Sequence, residues 1–343
     1  MTAAKILIIL FDDLGWGNVS QDMPKLRDFM AQSVVYRNAH APVSWCAPTR
    51  WAIMTGRYPH TRSNPITNPP VGKLIGATTR TLPKSLKAAG YATGIFGKWH
   101  LGGNPLDYGF QTGRWYQTAD SALESNPVKL FDDRTPITRS PAQALPAIVN
   151  RAVDFMATPG PWFAYVALPT PHKPYLTGDY RSWVRAGDDA LQVLVEAAGP
   201  DALIIVTSDN GTLESAGIAH AVPNPNRGWK QSLFDGGTRV PFAIRHPDIE
   251  PGETDQLVGL LDLYSTIGSV VGFVGHPDSV DIFGVGREYL ITQDLARRLA
   301  VRNAAGWKLH LAASLLYHLP TDPREESPRD EPTIEEELRN QGD

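Results

Sequence analysis

The stretch Ile-Leu-Ile-Ile-Leu-Phe-Asp-Asp, residues 6–13, is an unbroken apolar run that ends in two carboxylates. An apolar run of this length without polar alternation indicates a strand covered on both faces, as in a parallel sheet that lies between helices. Three later runs have the same form and are also followed closely by polar residues: Tyr91–Phe96, Trp162–Leu168 and Ala202–Val206. We therefore predict a large, mostly parallel sheet built around these four strands.

The polar residues that follow the four strands form a second pattern. In open α/β sheets, ligands bind beyond the carboxyl ends of the strands. The sequence therefore predicts that one edge of the sheet brings together seven side chains: Asp12, Asp13, Lys98, His100, His172, Asp209 and Asn210.

The rest of the chain predicts helices first and a small antiparallel sheet afterwards. Apolar spacing favours helices at Met23–Gln32, Pro48–Met54, Leu82–Ala89, Ala144–Met156, Ala190–Ala198 and Leu261–Val271, with a fifth strand at Val240–Arg245. The alternation of strand and helix is typical of an α/β fold. Short strands are predicted at Glu288–Thr292, Arg298–Arg302, Trp307–Ala312 and Leu315–Leu319. We expect an α/β domain over residues 1–275 and a C-terminal α+β subdomain over residues 276–343, with an acidic, solvated tail.

Composition limits the class of protein. The 343 residues are 42% hydrophobic and 20% charged, with a formal net charge of −4 and no long basic block. This balance argues against nucleic acid and against an anionic membrane as partners. No apolar stretch approaches the length of a membrane span. Because Met1–Lys5 runs directly into the first strand, we see no signal peptide and expect a cytoplasmic protein, although a leader removed before the numbering stays open.

The single cysteine heads a specific motif. One cysteine excludes a disulfide framework and a multi-cysteine zinc site. Cys46-Ala47-Pro48-Thr49-Arg50 continues to Thr55-Gly56-Arg57. Pro48 suits the first turn of a helix, which places Cys46 at a helix N-terminus, where free backbone N–H groups favour an anion. A lone cysteine is more often a buried packing residue, but the complete motif favours a functional one.

This motif resembles the signature Cys-x-Pro-x-Arg and Thr-Gly-Arg of the formylglycine-dependent type I sulfatases, a family of the alkaline phosphatase superfamily. The resemblance implies an alkaline-phosphatase-like fold and the hydrolysis of sulfate monoesters of small molecules or saccharides. It also implies that a formylglycine-generating maturation enzyme oxidises Cys46 to Cα-formylglycine. The similarity continues to Asp322-Pro323-Arg324-Glu325. Typical members are longer, and the missing residues fall within about 103–144 and 175–202, which leaves the identity of the substrate open.

Two acidic pairs predict a metal site. Asp12-Asp13 and Asp209-Asn210 offer only oxygen ligands, which select Ca²⁺ or Mg²⁺ over zinc. An Asp at the end of a strand can also be an ordinary turn residue. Both pairs match sulfatase elements, however. The resemblance implies that these four residues, together with the modified Cys46, hold one divalent cation, with Ca²⁺ favoured by family habit and Mg²⁺ left open.

Lysines and histidines complete the predicted site. Lys98 and His100 are two residues apart, so both would point to one face of an extended segment. A lysine there holds a sulfate oxygen, and a histidine moves a proton near neutral pH. The resemblance implies that His172 contacts the ester oxygen or the leaving group, and that Lys230 is a second sulfate-binding lysine.

Two positions fit the family pattern less closely. Gly217–Ala221 matches a Gly-x-His-Gly element only loosely, so a substrate-binding role for His220 stays open. Asp235, in the run Phe234–Pro241, stands where the family usually has Glu, a conservative difference.

The family mechanism, carried onto these positions, begins with the hydrated formylglycine at position 46. One of its hydroxyls, activated by the cation and Asp209, attacks sulfur. The charge on the sulfate oxygens is stabilised by the cation and by Lys98, Lys230 and Arg50.

The departing alcohol must then gain a proton, and the second hydroxyl of residue 46 must lose one. His172, with Lys230 as a possible helper, protonates the departing alcohol, and His100 takes the proton from the second hydroxyl, which expels sulfate and restores the aldehyde. Two alternatives stay open: a phosphonate monoester hydrolase or phosphodiesterase using the same site, and a non-catalytic binding module. A dinucleotide-binding enzyme is excluded because no Gly-x-Gly-x-x-Gly follows a strand.

Overall fold

A mixed sheet forms the centre of the molecule. The computed structural model describes residues 4–62, 66, 72–118, 122–214 and 225–342. Within these residues, ten strands form the main sheet in the order β10-β2-β9-β8-β1-β7-β3-β4-β5-β6. They are β1 (Lys5–Asp12), β2 (Val34–His40), β3 (Ala92–Lys98), β4 (Thr112–Tyr116), β5 (Val128–Asp132), β6 (Thr135–Arg139), β7 (Trp162–Pro171), β8 (Leu203–Ser208), β9 (Phe242–Arg245) and β10 (Gly252–Gly259).

The four predicted apolar strands are adjacent at the middle of this sheet. β8, β1, β7 and β3 are neighbours in that order, and each pair is parallel. Antiparallel pairs occur further out, where β9 joins β8 to β2 and where β4, β5 and β6 follow one another. The prediction of a mostly parallel α/β sheet is therefore confirmed for the part that carries the polar strand ends.

Helices cover both faces of the sheet. In the described part of the chain they are α1 (Trp16–Asp22), α2 (Pro24–Met30), α3 (Cys46–Thr55), α4 (Leu82–Ala88), α5 (Pro141–Met156), α6 (Tyr180–Ala198), α7 (Asp235–Thr238), α8 (Leu263–Val271) and α9 (Pro332–Gly342), with 3₁₀ turns at Pro59–Thr61, Pro105–Tyr108 and Leu260–Asp262. None of these helices is long and apolar enough to cross a bilayer.

Strand β1 shows why the core has two halves. Successive side chains of a strand point to opposite faces. One face of β1 packs into a core shared with α2, α5 and α6 through Leu7, Ile9 and Phe11. The other face packs against α3, α4 and α8 through Ile6, Ile8 and Leu10. All six side chains are completely buried, which explains the unbroken apolar run.

A second, four-stranded antiparallel sheet follows in the chain. It contains β11 (Tyr289–Gln293), β12 (Leu299–Asn303), β13 (Trp307–His310) and β14 (Leu315–His318), in that order. Helix α9 covers it, because Leu338 is fully buried against Val301, Leu309 and Leu316. The tail is therefore only partly solvated, contrary to our expectation. The domain boundary at residue 275 stays a prediction.

Several elements differ from the sequence prediction. Strands β2 and β10 carry exposed polar residues such as Arg37 and Glu253, so their apolar runs are interrupted and no strand was expected there. Helix α6 begins at Tyr180, ten residues before the predicted start, because the Asp179 side chain accepts a hydrogen bond from the Ser182 N–H and caps the helix.

Candidate active site

The ends of the four central strands meet, as the sequence predicted. Lys98, the last residue of β3, donates a hydrogen bond from Nζ to Asp12 Oδ2 at 2.6 Å. The His172 N–H donates to the Asp12 carbonyl at 3.0 Å, and the Asp209 N–H donates to the Phe11 carbonyl at 3.1 Å. These contacts confirm the convergence of the strand ends, while the chemical role of each residue stays a prediction.

Arg50 lies beneath this edge of the sheet. Its guanidinium is fully buried; Nε donates a hydrogen bond to Asp209 Oδ2 at 2.9 Å, and Nη2 forms an ion pair with the same oxygen at 2.7 Å. Nη1 donates to the Lys98 carbonyl at 3.0 Å. These hydrogen bonds join α3 to β8 and β3. We therefore infer that Arg50 orients Asp209 and Lys98, while its role in stabilising charge on the sulfate oxygens stays a prediction.

Cys46 is the first residue of α3, beside two carboxylates. One ligand atom each from Asp12, Asp13 and Cys46 lies within 4.8 Å of the other two. Burial raises the pKa of the Cys46 thiol, although the ammonium groups of Lys230 and Lys98 oppose this shift. A thiol that stays protonated is a weak nucleophile. The unmodified side chain is therefore poorly suited to attack an ester.

The oxygen atoms around Cys46 suit a hard cation. Asn210 Nδ2 donates to Asp13 Oδ1 at 2.7 Å, which holds the Asn210 side chain against this group of carboxylates. Among the described residues, Asp12 Oδ1 and Asn210 Oδ1 are buried without a hydrogen-bond partner. Buried polar atoms are normally satisfied, and carboxylate and amide oxygens are the ligands that Ca²⁺ and Mg²⁺ prefer. The donor set thus fits the predicted divalent cation.

Two buried lysines flank the cluster. Lys230 donates a hydrogen bond to Asp13 Oδ1, and its ammonium lies 4.9 Å from the centre of the Trp45 ring. Burial alone would raise the pKa of Asp12, but Lys98 and the other nearby cations hold that pKa well below its ordinary value. Asp12 therefore stays ionised beside two positive charges.

The two histidines of the site, His100 and His172, differ in their contacts. His100 is 6% exposed, and within the described chain its Nδ1 has no hydrogen-bond partner. Burial, together with the charges of Lys98 and Arg50, holds the pKa of His100 well below its ordinary value, so the ring is neutral at pH 7. His172 Nε2 lies 3.9 Å from Asp13 Oδ2.

Two site residues have an unusual backbone conformation. His100 has φ 62° and Asp13 has φ 72°, both in the left-handed region that non-glycine residues seldom adopt. The prediction that Lys98 and His100 lie on one extended segment is therefore wrong, because the chain turns at His100. Such strain is concentrated at functional sites, where the surrounding structure holds it in place.

Two glycines allow the strand ends to approach one another. Gly97 has φ 98°, and a Cβ there would lie 1.9 Å from the Ala167 carbonyl oxygen. A Cβ on Gly211 would lie 1.9 Å from the Gly236 carbonyl oxygen. Each glycine precedes or follows a predicted site residue, which explains its place in the motif.

Asp209 has a pKa suited to proton transfer. Burial raises the pKa of this carboxyl to about 6, although Arg50 opposes the shift. A carboxyl with a pKa near neutrality can accept a proton under ordinary conditions.

Not every predicted residue can be placed. His220 lies outside the described residues. Sequence reasoning also missed a buried group of charges behind the site, formed by Asp235, Arg302, Lys308 and Glu325. Asp235 and Glu325 belong to runs that resemble the family, which was the available signal. Nothing in the sequence distinguished Arg302 and Lys308 from surface residues of a strand.

Comparison with known proteins identifies the family. The Sulfatase family model matches residues 4–273. The chain belongs to the sulfatase family. N-acetylgalactosamine-6-sulfatase of Mus musculus is 29% identical to this sulfatase family member over 334 residues, which cover 80% of the chain and 64% of the mouse protein. The chain therefore spans a little under two thirds of the length of that relative.

Solved structures agree on the fold. A Bacteroides thetaiotaomicron protein, described in connection with the metabolism of multiple glycosaminoglycans, has a TM-score of 0.85 at 21% identity, covering 99% of this chain and 98% of its own. The structure of Ps i-CgsB in complex with k-i-k-neocarrahexaose has a TM-score of 0.84 at 22% identity, covering 98% of this chain and 91% of its own. At these identities the likeness establishes the sulfatase fold alone.

Proposed function

We propose that this chain is a sulfuric ester hydrolase that cleaves sulfate monoesters through residue 46, after a maturation enzyme has converted Cys46 to Cα-formylglycine. The observation that carries the proposal is the position of Cys46: it begins α3, it lies within 4.8 Å of ligand oxygens of Asp12 and Asp13, and Lys98 and Lys230 bind those same carboxylates. Family membership supports the same reaction class.

The proposed chemistry needs a divalent cation, which we take to be Ca²⁺. Asp12, Asp13, Asp209 and Asn210 would hold it together with residue 46. When bound, it supplies positive charge that polarises the sulfate group and favours the deprotonated nucleophile. The hydrated aldehyde of residue 46 supplies two hydroxyls, one for attack on sulfur and one whose deprotonation releases the sulfate.

The lysines provide the remaining positive charge. A sulfate monoester is an anion, and charge on its oxygens must be stabilised throughout the reaction. Lys98 and Lys230 are buried, with ammonium groups that lie at the carboxylates of Asp12 and Asp13. Because both lysines are held within the site, they bind the sulfate without large reorganisation.

Protons are moved by three residues of the chain. Asp209, a fully buried carboxylate whose Oδ1 accepts a hydrogen bond from the Asp13 N–H, accepts the proton of the attacking hydroxyl. His172, the more exposed of the two site histidines, donates a proton to the departing alcohol. His100 is neutral, and its Nδ1 has no hydrogen-bond partner in the described part of the chain, so it accepts the proton of the second hydroxyl.

The substrate class is supported by the relatives. The mouse relative is named for a sulfated sugar, N-acetylgalactosamine-6-sulfate, and Ps i-CgsB was solved with an oligosaccharide. We therefore propose a saccharide sulfate, or a small aryl sulfate in its place, as the substrate.

A comparison of matched esters tests the proposal. The protein is co-produced with a formylglycine-generating enzyme and assayed with 4-nitrophenyl sulfate and with a 4-nitrophenyl phosphonate monoester, in calcium and after chelation. We expect calcium-dependent release of sulfate that exceeds phosphonate cleavage in kcat/KM. Preferential cleavage of the phosphonate, or activity of protein made without the maturation enzyme, would contradict it.

A further inference from the structure

Four buried charges join the second sheet to the back of the active site. Asp235 begins α7, Arg302 lies in β12, Lys308 lies in β13, and Glu325 follows β14. The most exposed of them, Asp235, is only 4% exposed, and Lys308 and Glu325 are completely buried. We call these four residues the Asp235 network.

The Asp235 network is balanced in charge. Lys308 Nζ lies 2.9 Å from Asp235 Oδ1 and 2.9 Å from Glu325 Oε2. The Arg302 guanidinium donates a hydrogen bond to Asp235 Oδ1. Two carboxylates thus face two cations. Buried charges are tolerated only when they are paired. The loss of one partner therefore leaves an unpaired buried charge and destabilises the whole group.

Glu325 connects this network to the backbone of α7. Its Oε1 accepts a hydrogen bond from the Asp235 N–H at 2.8 Å, which satisfies one of the free donors at the start of the helix. Its carbonyl accepts a hydrogen bond from Arg227 Nη1. Glu325 therefore holds α7 and the segment that precedes it.

Helix α7 in turn holds the segment that carries Lys230. The Gly236 N–H donates to the Arg227 carbonyl at 2.7 Å. On its other side, the segment is joined to the approach to Cys46 by the Gln231 N–H, which donates to the Ser44 carbonyl at 2.8 Å. Lys230 lies in no strand or helix; its own N–H donates to the Thr212 carbonyl at 2.9 Å, and the hydrogen bonds of the residues on either side also help to fix its position.

The end of the neighbouring strand β8 is held both by α7 and by the sheet. Gly211 follows β8 and donates from its N–H to the Gly237 carbonyl at 3.0 Å. Strand β8 also pairs with β1 and β9, so its end is held from within the sheet as well. Among the described residues, the segment around Lys230 pairs with no strand, and segments with few such pairings open more easily.

We infer that Glu325 is a positioning residue for sulfate hydrolysis, acting through Asp235 and α7 on Lys230. This inference rests on the proposed function, because it assigns to the second sheet a part in sulfate binding. The second sheet then supports the reaction without touching the substrate.

A double-mutant cycle tests the link to Lys230. Glu325→Gln in the full-length, matured protein should lower kcat/KM for 4-nitrophenyl sulfate about tenfold, mostly through a higher KM, because an interaction of this kind is worth a factor of that order. In a Lys230→Ala background, the same substitution should lower kcat/KM by less than about twofold.

A matched control separates positioning from general stability. Leu316→Ala removes a buried side chain of the same sheet that lies outside the Asp235 network. It should lower the melting temperature but leave kcat/KM near the wild-type value at 25 °C. If Glu325→Gln does not fold, the double variant Lys308→Met/Glu325→Gln removes one charge of each sign, and the same results are expected from it.

Hydrogen exchange provides a readout that does not depend on activity. Glu325→Gln should speed amide exchange in peptides covering residues 227–238, whereas Leu316→Ala should not. If the wild-type protein hydrolyses no sulfate ester, the proposed function fails. Hydrogen exchange alone then tests whether Glu325 holds the segment that carries Lys230. Unchanged exchange in the Glu325 variant, or an undiminished tenfold loss in the Lys230→Ala background, would overturn the inference.

Discussion

At the scale of single residues, the proposed mechanism depends on the two hydroxyls of a hydrated aldehyde at position 46. Cys46→Ser supplies one hydroxyl in the same place, beside Asp12 and Asp13. A serine sulfate has no second hydroxyl whose deprotonation would release it. We therefore expect this variant to give at most one product per enzyme molecule. A pre-steady-state burst measured with 4-nitrophenyl sulfate checks this, and sustained turnover would refute the mechanism.

The buried contacts between Arg50 and Asp209 lead to a prediction about stability. Arg50→Met would leave the Asp209 carboxylate buried without its hydrogen bond and its ion pair from the guanidinium. Breaking a buried ion pair in this way costs about 3–5 kcal/mol of the free energy of unfolding. Urea denaturation in the presence of a chelator measures it. Arg37→Met is the matched control, because the Arg37–Glu253 pair is exposed and should contribute little. Equal losses in the two variants would contradict this account of Arg50.

At the scale of elements, the segment that follows β8 lies very close to α7. We therefore expect one added methyl group at Gly211 to destabilise the fold. Gly211→Ala would place a Cβ 1.9 Å from the Gly236 carbonyl oxygen, so the backbone must move. We expect a loss of about 1–3 kcal/mol in the free energy of unfolding, as for other overpacked sites. A weaker calcium affinity should accompany it, since Asn210 is adjacent.

Gly252→Ala is the control for this substitution. Gly252 begins β10, and a Cβ there meets no atom within 4 Å. Its unfolding free energy should stay within about 0.5 kcal/mol of wild type. Urea denaturation measures the free energy of unfolding of the two variants, and calcium titration measures their affinity. Similar results for both would show that the contact between α7 and the segment after β8 is not tight.

The sequence predicted the elements that carry the chemistry better than those that surround them. Strand β1 was predictable because it is buried on both faces, and α3 because Pro48 and the Cys46 motif mark its start. Strand β2 was not, because Arg37 and Asn38 are polar and its pairing with β9 and β10 is decided by distant parts of the chain.

The same distinction applies to the site. Asp12 and Lys98 could be expected to meet, because parallel strands end at one edge of a sheet. The left-handed turn at His100 and the pairing of Arg302 with Asp235 could not, since both depend on tertiary contacts between segments far apart in sequence.

At the scale of the whole molecule, buried titratable groups predict a loss of stability in acid. His40 is fully buried, and burial together with the Arg302 guanidinium holds the pKa of His40 well below its ordinary value. Below about pH 6.5 the unfolded chain protonates this histidine and the native state does not. Protons then favour the unfolded state, so stability falls as pH falls.

The Asp235 carboxyl acts in the same direction at lower pH. Burial alone would raise its pKa, but Arg302 and Lys308 hold that pKa well below the ordinary range. Its contribution to stability is therefore complete above about pH 4 and is lost as pH falls further.

Substitution of His40 isolates its share of this dependence. Between pH 6.5 and 5, the free energy of unfolding of His40→Gln should fall less steeply than that of wild type, by up to about 1.4 kcal/mol per pH unit. Urea denaturation across this range measures the two slopes. Parallel curves would mean that His40 does not titrate differently in the native and unfolded states.

The identity of the side chain at position 46 tests the central claim most directly. Trypsin cleavage after Arg37 and Arg50 releases residues 38–50, which contain the only cysteine. The measurement is the mass of this peptide from protein co-produced with a formylglycine-generating enzyme that modifies a control substrate in the same cells. We predict a peptide in which the thiol is replaced by an aldehyde. An unmodified cysteine beside a fully modified control would contradict it.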